Sequence, residues 1–90
     1  MNTDFTKPFN NDVKKILNVT VVSEIKQAIL SVEEARRLRD IPKLRKLKGY
    51  KEGIFYRIKV KRYRIGVTIE GNLATFARCL PRKDFYKYYP

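Results

Sequence analysis

The sequence contains no histidine and no tryptophan, and only one cysteine and one methionine. Each absence removes a class of chemistry. Without histidine or paired cysteines there are no zinc-finger ligands, no His-carboxylate metal site and no disulfide framework. Ser-His-Asp and Cys-His catalysis lose their general base. Long apolar runs are missing too. Nothing approaches the roughly 18 residues of a membrane span, and Met1–Pro8 has no signal-peptide core, so no membrane partner is expected. A lone Cys79 suits a reducing compartment, and the expected location is the cytoplasm.

Negative charge is also scarce. Nine acidic residues stand against 21 basic ones, leaving a formal charge of +12 and an isoelectric point near 10.1. Ninety residues suffice for one small domain, residues 1–90, burying about 60% of the unfolded surface. A hydrophobic content of 43% is too high for a disordered basic tail. The charge is uneven. Residues 1–42 hold seven basic and six acidic residues, whereas 43–90 hold fourteen and three. Such asymmetry points to a polyanion-binding surface rather than to general solubility.

Periodicity organises the chain into helices and then strands. Asn10, Asn11 and Asp12 are N-cap candidates ahead of Val13, Ile16 and Leu17, which predicts a short first helix. Thr20 or Ser23 would cap a second helix carrying Val22, Ile25, Ile29 and Val32 on one stripe, with Pro42 as its stop. After a loop containing Gly49 and Gly53 the period becomes two. Ile54, Tyr56, Ile58 and Val60 alternate with Phe55, Arg57, Lys59 and Lys61. Tyr63, Ile65, Val67 and Ile69 then alternate with Arg62, Arg64, Gly66 and Thr68. Glu70-Gly71-Asn72 is turn chemistry, and Leu73 to Leu80 reads as a third strand. Phe5 marks a further short strand that Pro8 confines to an edge. The expected fold is α+β, an N-terminal helical hairpin packed on a small antiparallel sheet.

Alternation then gathers cations. If the apolar set faces the helices, Arg57, Lys59 and Lys61 face away, joined by Arg62 and Arg64, and Gly66 leaves a hollow among them. A cationic hollow holds phosphates by Coulomb attraction and counterion release. Cleaving RNA there would need a base for the 2′-OH, donors for the pentacoordinate phosphate and an acid for the leaving oxygen. With no histidine these must come from Lys, Arg, Tyr or a carboxylate, and crowded cations lower the pKa of a Lys or Tyr. Composition and spacing alone favour binding over catalysis.

Three segments carry more information. Leu44-Arg45-Lys46-Leu47-Lys48-Gly49-Tyr50 precedes the sheet. Phe55-Tyr56-Arg57-Ile58-Lys59-Val60 is followed by Tyr63-Arg64-Ile65. Arg82-Lys83-Asp84-Phe85-Tyr86 lies near the end. In this order after a helical hairpin, they resemble the RelE/ParE family of bacterial toxins from toxin-antitoxin modules. The resemblance runs from about Phe9 to Tyr86 and is specific from Leu44 onward. It implies a βααβββ fold and a toxin that cuts messenger RNA on the ribosome without metal or cofactor.

Carried over by position, Arg57 and Lys59 match the strand cations that stabilise charge at the scissile phosphate or help activate the 2′-OH. Arg64 matches the transition-state arginine and Arg82 the arginine that assists the leaving group. Tyr86 matches the tyrosine that orients the nucleotide, a role for which Tyr88 and Tyr89 are alternatives. Lys46, Lys48, Lys61, Arg62 and Lys83 would be general RNA contacts. Pro81, just before the arginine, departs from many relatives. The implied partners are the ribosome, mRNA and a cognate acidic antitoxin. The alternatives are a ParE-like toxin that poisons DNA gyrase without nuclease activity, and an inactive nucleic-acid-binding relative.

Overall fold

Thr6 starts the first helix, earlier than the Asn10-Asn11-Asp12 cluster suggests. In the computed structural model, which describes residues 1–90, helix α1 runs Lys7–Lys14 with Thr6 as its N-cap. The Thr6 hydroxyl accepts the Phe9 N–H at 3.1 Å. Pro8 in the first turn has no N–H to leave unpaired. The two asparagines and Asp12 therefore lie inside α1, and Leu17 is left exposed beyond it.

Helix α2 spans Val19–Glu34, and the Asn18 side chain caps it by accepting the Val21 N–H at 3.1 Å. The expected caps, Thr20 and Ser23, fall inside it. Pro42 does not end this helix. It stops at Glu34, where Ala35 turns extended, and the Arg37 N–H donates instead to the Asp40 carboxylate at 3.1 Å. That local side-chain bond competes with helix continuation, and a single 3-10 turn, Leu38–Asp40, follows.

Five strands, β1 (Asn2–Phe5), β2 (Leu44–Lys46), β3 (Phe55–Val60), β4 (Tyr63–Glu70) and β5 (Leu73–Pro81), form one sheet in the order β1-β5-β4-β3-β2. The expected meander is β3, β4 and β5, antiparallel throughout. The edge strand at Phe5 pairs parallel with β5, so the sheet is mixed rather than purely antiparallel. Leu44–Lys46, which precedes the expected sheet, is itself the opposite edge, paired with β3. Its three residues are too short a run for alternation to reveal.

Helix α1 lies against β5 and α2 against β3. Their apolar stripes meet Ile58, Val60, Ile65, Val67, Phe76 and Cys79 in one buried cluster with Phe9, Val21, Ile25 and Val32. Where β1 ends, α1 takes over the open edge of β5. The Thr6 hydroxyl donates to the Ala77 carbonyl at 2.9 Å, and the Asp12 carboxylate accepts the buried Cys79 N–H at 3.0 Å. An edge that would otherwise present unpaired backbone groups is thus closed by side chains. A third helix, α3 (Arg82–Tyr88), packs on β4 and β5. Its buried Phe85, and Tyr89 just after it, stand apart from the cluster under α1 and α2. No helix is long and apolar enough to cross a membrane.

Candidate active site

Strand register decides which cations share a face. Ile58 and Ile65 are paired in the core, so the flanking pairs Arg57–Gly66 and Lys59–Arg64 point to the other side of the sheet. Lys61 and Arg62 do not continue this pattern. They form the turn between β3 and β4, with Lys61 at a φ of 51°, and so stand at the end of the sheet rather than on its face. Lys61 also pairs with Glu24 of α2 at 3.2 Å.

The hollow expected at Gly66 is filled. A Cβ at this position would lie 2.6 Å from the Cγ and Cδ1 of Tyr89, whose ring covers the glycine. The open space lies instead toward the β3–β4 turn, as a groove of about 870 Å³ between the sheet and α3. Six cations line it, Lys59, Lys61, Arg62, Arg64, Arg82 and Lys83, with Tyr63, Pro81 and Tyr86 and no carboxylate. Lys61 is balanced by Glu24, and the excess of one sign that the other five leave in a concave site focuses potential on an anionic ligand.

Arg64 is the best-held of the six. Its residue is only 7% exposed, and its Nη1 donates to the carbonyls of Lys61 at 3.0 Å and Tyr63 at 2.9 Å. Its pKa is pushed below the usual arginine value, chiefly by burial and then by the neighbouring charges of Arg57 and Arg82. It remains a cation at neutral pH, in surroundings that a phosphate would relieve. The Arg82 backbone is fixed by donation to the Arg62 carbonyl at 2.7 Å, which carries the β4–β5 ladder into the first turn of α3.

The other expected residues divide clearly. Arg57 lies outside the groove lining, beside Arg45 of β2, and its Nη1 donates to the Lys43 carbonyl at 3.3 Å. It reaches the groove only through its charge on Arg64. Lys46 and Lys48 are exposed on β2 and the loop after it, away from the groove. Of the three candidate tyrosines, Tyr86 is exposed at the groove, whereas Tyr89 is buried. Tyr88 lies outside the groove, with Arg78 over its ring at 5.5 Å.

One pair has no signal in the sequence. Arg78 of β5 grips Asp12 of α1 through two bonds, Nε to Oδ2 at 2.8 Å and Nη2 to Oδ1 at 3.0 Å. These bonds raise the Arg78 pKa. No local pattern announces a partnership across 66 positions. The neighbouring Cys79 thiol is pushed up to about 12 by burial and by the Asp12 charge, which leaves it protonated and unreactive at neutral pH.

No known protein-family profile matches the chain. It is 36% identical over 87 residues to Toxin RelE3 of Methanocaldococcus jannaschii, an alignment covering 96% of each chain. Among solved structures it superposes on the RelB-RelE antitoxin-toxin complex from Methanococcus jannaschii with a TM-score of 0.79 and 33% identity, covering 97% of this chain and 99% of the other. The YoeB dimer of Staphylococcus aureus shares the fold, with a TM-score of 0.72 at 23% identity over 89% of this chain and 94% of the other.

Proposed function

This chain belongs to the RelE family of toxins, and from that premise we propose that it is the toxin of a RelBE-type toxin-antitoxin module, a ribosome-dependent endoribonuclease acting on messenger RNA. The observation that carries this reading is the groove itself: six cations and two tyrosines, no carboxylate, and Arg64 held in place by two backbone carbonyls.

In the proposed reaction the 2′-oxygen attacks the adjacent phosphorus. The O2′–P bond forms and the P–O5′ bond breaks, leaving a 2′,3′-cyclic phosphate and a 5′-hydroxyl end. The proton leaving O2′ and the proton gained by O5′ need groups within hydrogen-bond reach. Negative charge grows on the two non-bridging oxygens as the pentacoordinate phosphate forms. Donors already fixed at that point stabilise the charge without reorganising, and such preorganised electrostatic stabilisation usually outweighs other contributions to the rate. Arg64 fits that role because its guanidinium is immobilised before substrate arrives. Arg82, anchored by the ladder on the opposite wall, takes the leaving oxygen in this proposal, the role that its position in the family pattern implies. Lys59 lies beside Arg64 on the adjacent strand and is assigned the attacking side, and Arg57 adds to the potential from outside the groove. Tyr86 offers a ring on which a base can stack. Lys61, Arg62 and Lys83 extend the phosphate-binding surface, with Lys46 and Lys48 as more distant RNA contacts. Every fixed charge lining the groove is a cation, so charge compensation at the phosphate requires no metal.

An antitoxin for this chain needs an acidic segment laid over the basic half of the surface. Mapping 5′ ends on translated mRNA, with and without Arg64→Ala and Arg82→Ala, tests the reading. Both variants should lose about 10²-fold or more in cleavage, the effect of removing one preorganised donor. Cleavage unchanged in both, or intact mRNA alongside inhibited gyrase supercoiling, would overturn it.

A further inference from the structure

The groove has two walls, and they are held differently. The Arg82 end of α3 is fixed by the β4–β5 ladder. The Tyr86 end has no such tether. A helix of seven residues is too short to hold its own shape in water, so its far end takes its position from tertiary contacts.

Those contacts form a chain of rings running back to one glycine. Tyr89 follows α3, donates its N–H to the Phe85 carbonyl at 2.9 Å, and is 4% exposed. Its ring sits on Gly66 so closely that any Cβ there would collide with it, the nearest ring atoms being 2.6 Å away. It meets Phe55 of β3 edge-on, with centroids 6.1 Å apart, and Phe85 at 5.2 Å. Phe85 is fully buried and receives the Tyr86 ring edge-on at 4.9 Å with an interplanar angle of 81°. The Tyr89 hydroxyl is buried beside the Tyr56 backbone, short of full hydrogen-bonding geometry. The contacts that seat this side chain are made by its ring, on Gly66, Phe55 and Phe85.

We propose that Tyr89, seated on Gly66, is a positioning residue that sets Tyr86 in the groove through Phe85. The proposal rests on the ribonuclease reading and adds how its tyrosine is held. Gly66 supplies the missing volume, since any side chain at this site would displace the ring. Arg82 is outside the chain of contacts, so loss of Tyr89 leaves the arginine wall standing while the tyrosine moves.

The test combines single-turnover cleavage on mRNA-programmed ribosomes with amide hydrogen exchange of 82–89 in the full chain. Tyr89→Ala should release protection in the second half of α3 while β3, β4 and β5 stay protected. It should slow cleavage by about 10²-fold, the loss expected for a misplacement near 1 Å, mostly in the rate of the bound complex rather than in its affinity. Gly66→Ala should do the same. Combining the two should be no worse than either alone, because both act on one contact. Tyr89→Phe keeps the ring and should restore protection and cleavage.

If Tyr89→Ala frees the helix end but cleaves at the normal rate, the positioning role is overturned and the ribonuclease reading stands. Tyr89→Phe as slow as Tyr89→Ala would overturn it by shifting the role to the hydroxyl. Full protection of 82–89 in Tyr89→Ala would also overturn it. Absence of cleavage by the unsubstituted chain overturns the ribonuclease reading, and the positioning role falls with it.

Discussion

Replacing Asp12 with alanine isolates the contact that ties α1 to the edge of the sheet. Its carboxylate accepts three hydrogen bonds, two from Arg78 and one from the Cys79 backbone. Removal leaves the Cys79 N–H buried with no partner, which costs about 1–3 kcal/mol. It also strips Arg78 of its counter-charge. Breaking a fully buried pair costs about 3–5 kcal/mol, but the Arg78 side chain is 27% exposed, so water recovers part of that loss. Together the expected destabilisation is about 3 kcal/mol. For a domain of this size that lowers the melting temperature by roughly 12–24 °C, at about 4–8 °C per kcal/mol.

Urea unfolding followed by circular dichroism and tyrosine fluorescence reads it directly. The Asp12→Ala/Arg78→Met double variant should be less destabilised than the sum of the singles, since removing both partners leaves no unpaired charge. A loss below about 1 kcal/mol for Asp12→Ala would refute the reasoning, because a buried N–H alone should exceed it.

Two further perturbations follow from the same physics. The Cys79 thiol, raised to about 12 by burial and the Asp12 charge, favours the folded state fully at pH below the unfolded thiol's value near 8.5. That contribution shrinks as pH climbs from there toward about 12, by roughly 1.4 kcal/mol per pH unit at most, because only the unfolded chain releases the proton. Cys79→Ala should therefore flatten the alkaline limb of the stability curve, and iodoacetamide should label the native thiol only as fast as the protein opens. Asn18→Ala removes the cap of α2 and should cost about 1 kcal/mol in urea unfolding without altering cleavage.

Which features are legible in the sequence follows from the range of the forces involved. Helix α2 and strands β3 to β5 announce themselves because burial of one face imposes a period, 3.6 or 2, on consecutive residues. The cations on β3 and β4 follow from the same alternation, so residue spacing alone puts Lys59 and Arg64 on one face. The segment from Arg82 to Tyr86 is contiguous, and its likeness to a family is readable for that reason. The start of helix α1 is not legible, because three good capping residues in a row, Asn10 to Asp12, compete with a threonine that wins by also closing the edge of β5. The end of α2 is hidden for a similar reason: the chain turns extended at Ala35, ahead of the local Arg37–Asp40 bond and well before Pro42.

By itself, then, the sequence determined the uneven excess of basic charge, the exclusion of histidine chemistry, the α+β class and the candidate cations, since each is a matter of composition or local period. Tertiary structure decided where the cavity lies and which of the three C-terminal tyrosines lines it. Those depend on contacts between residues far apart in the chain: Tyr89 on Gly66 and Arg82 on Arg62. A glycine that sequence reads as an empty place became the seat of a ring, because volume near a missing Cβ is available to whichever side chain the fold brings there.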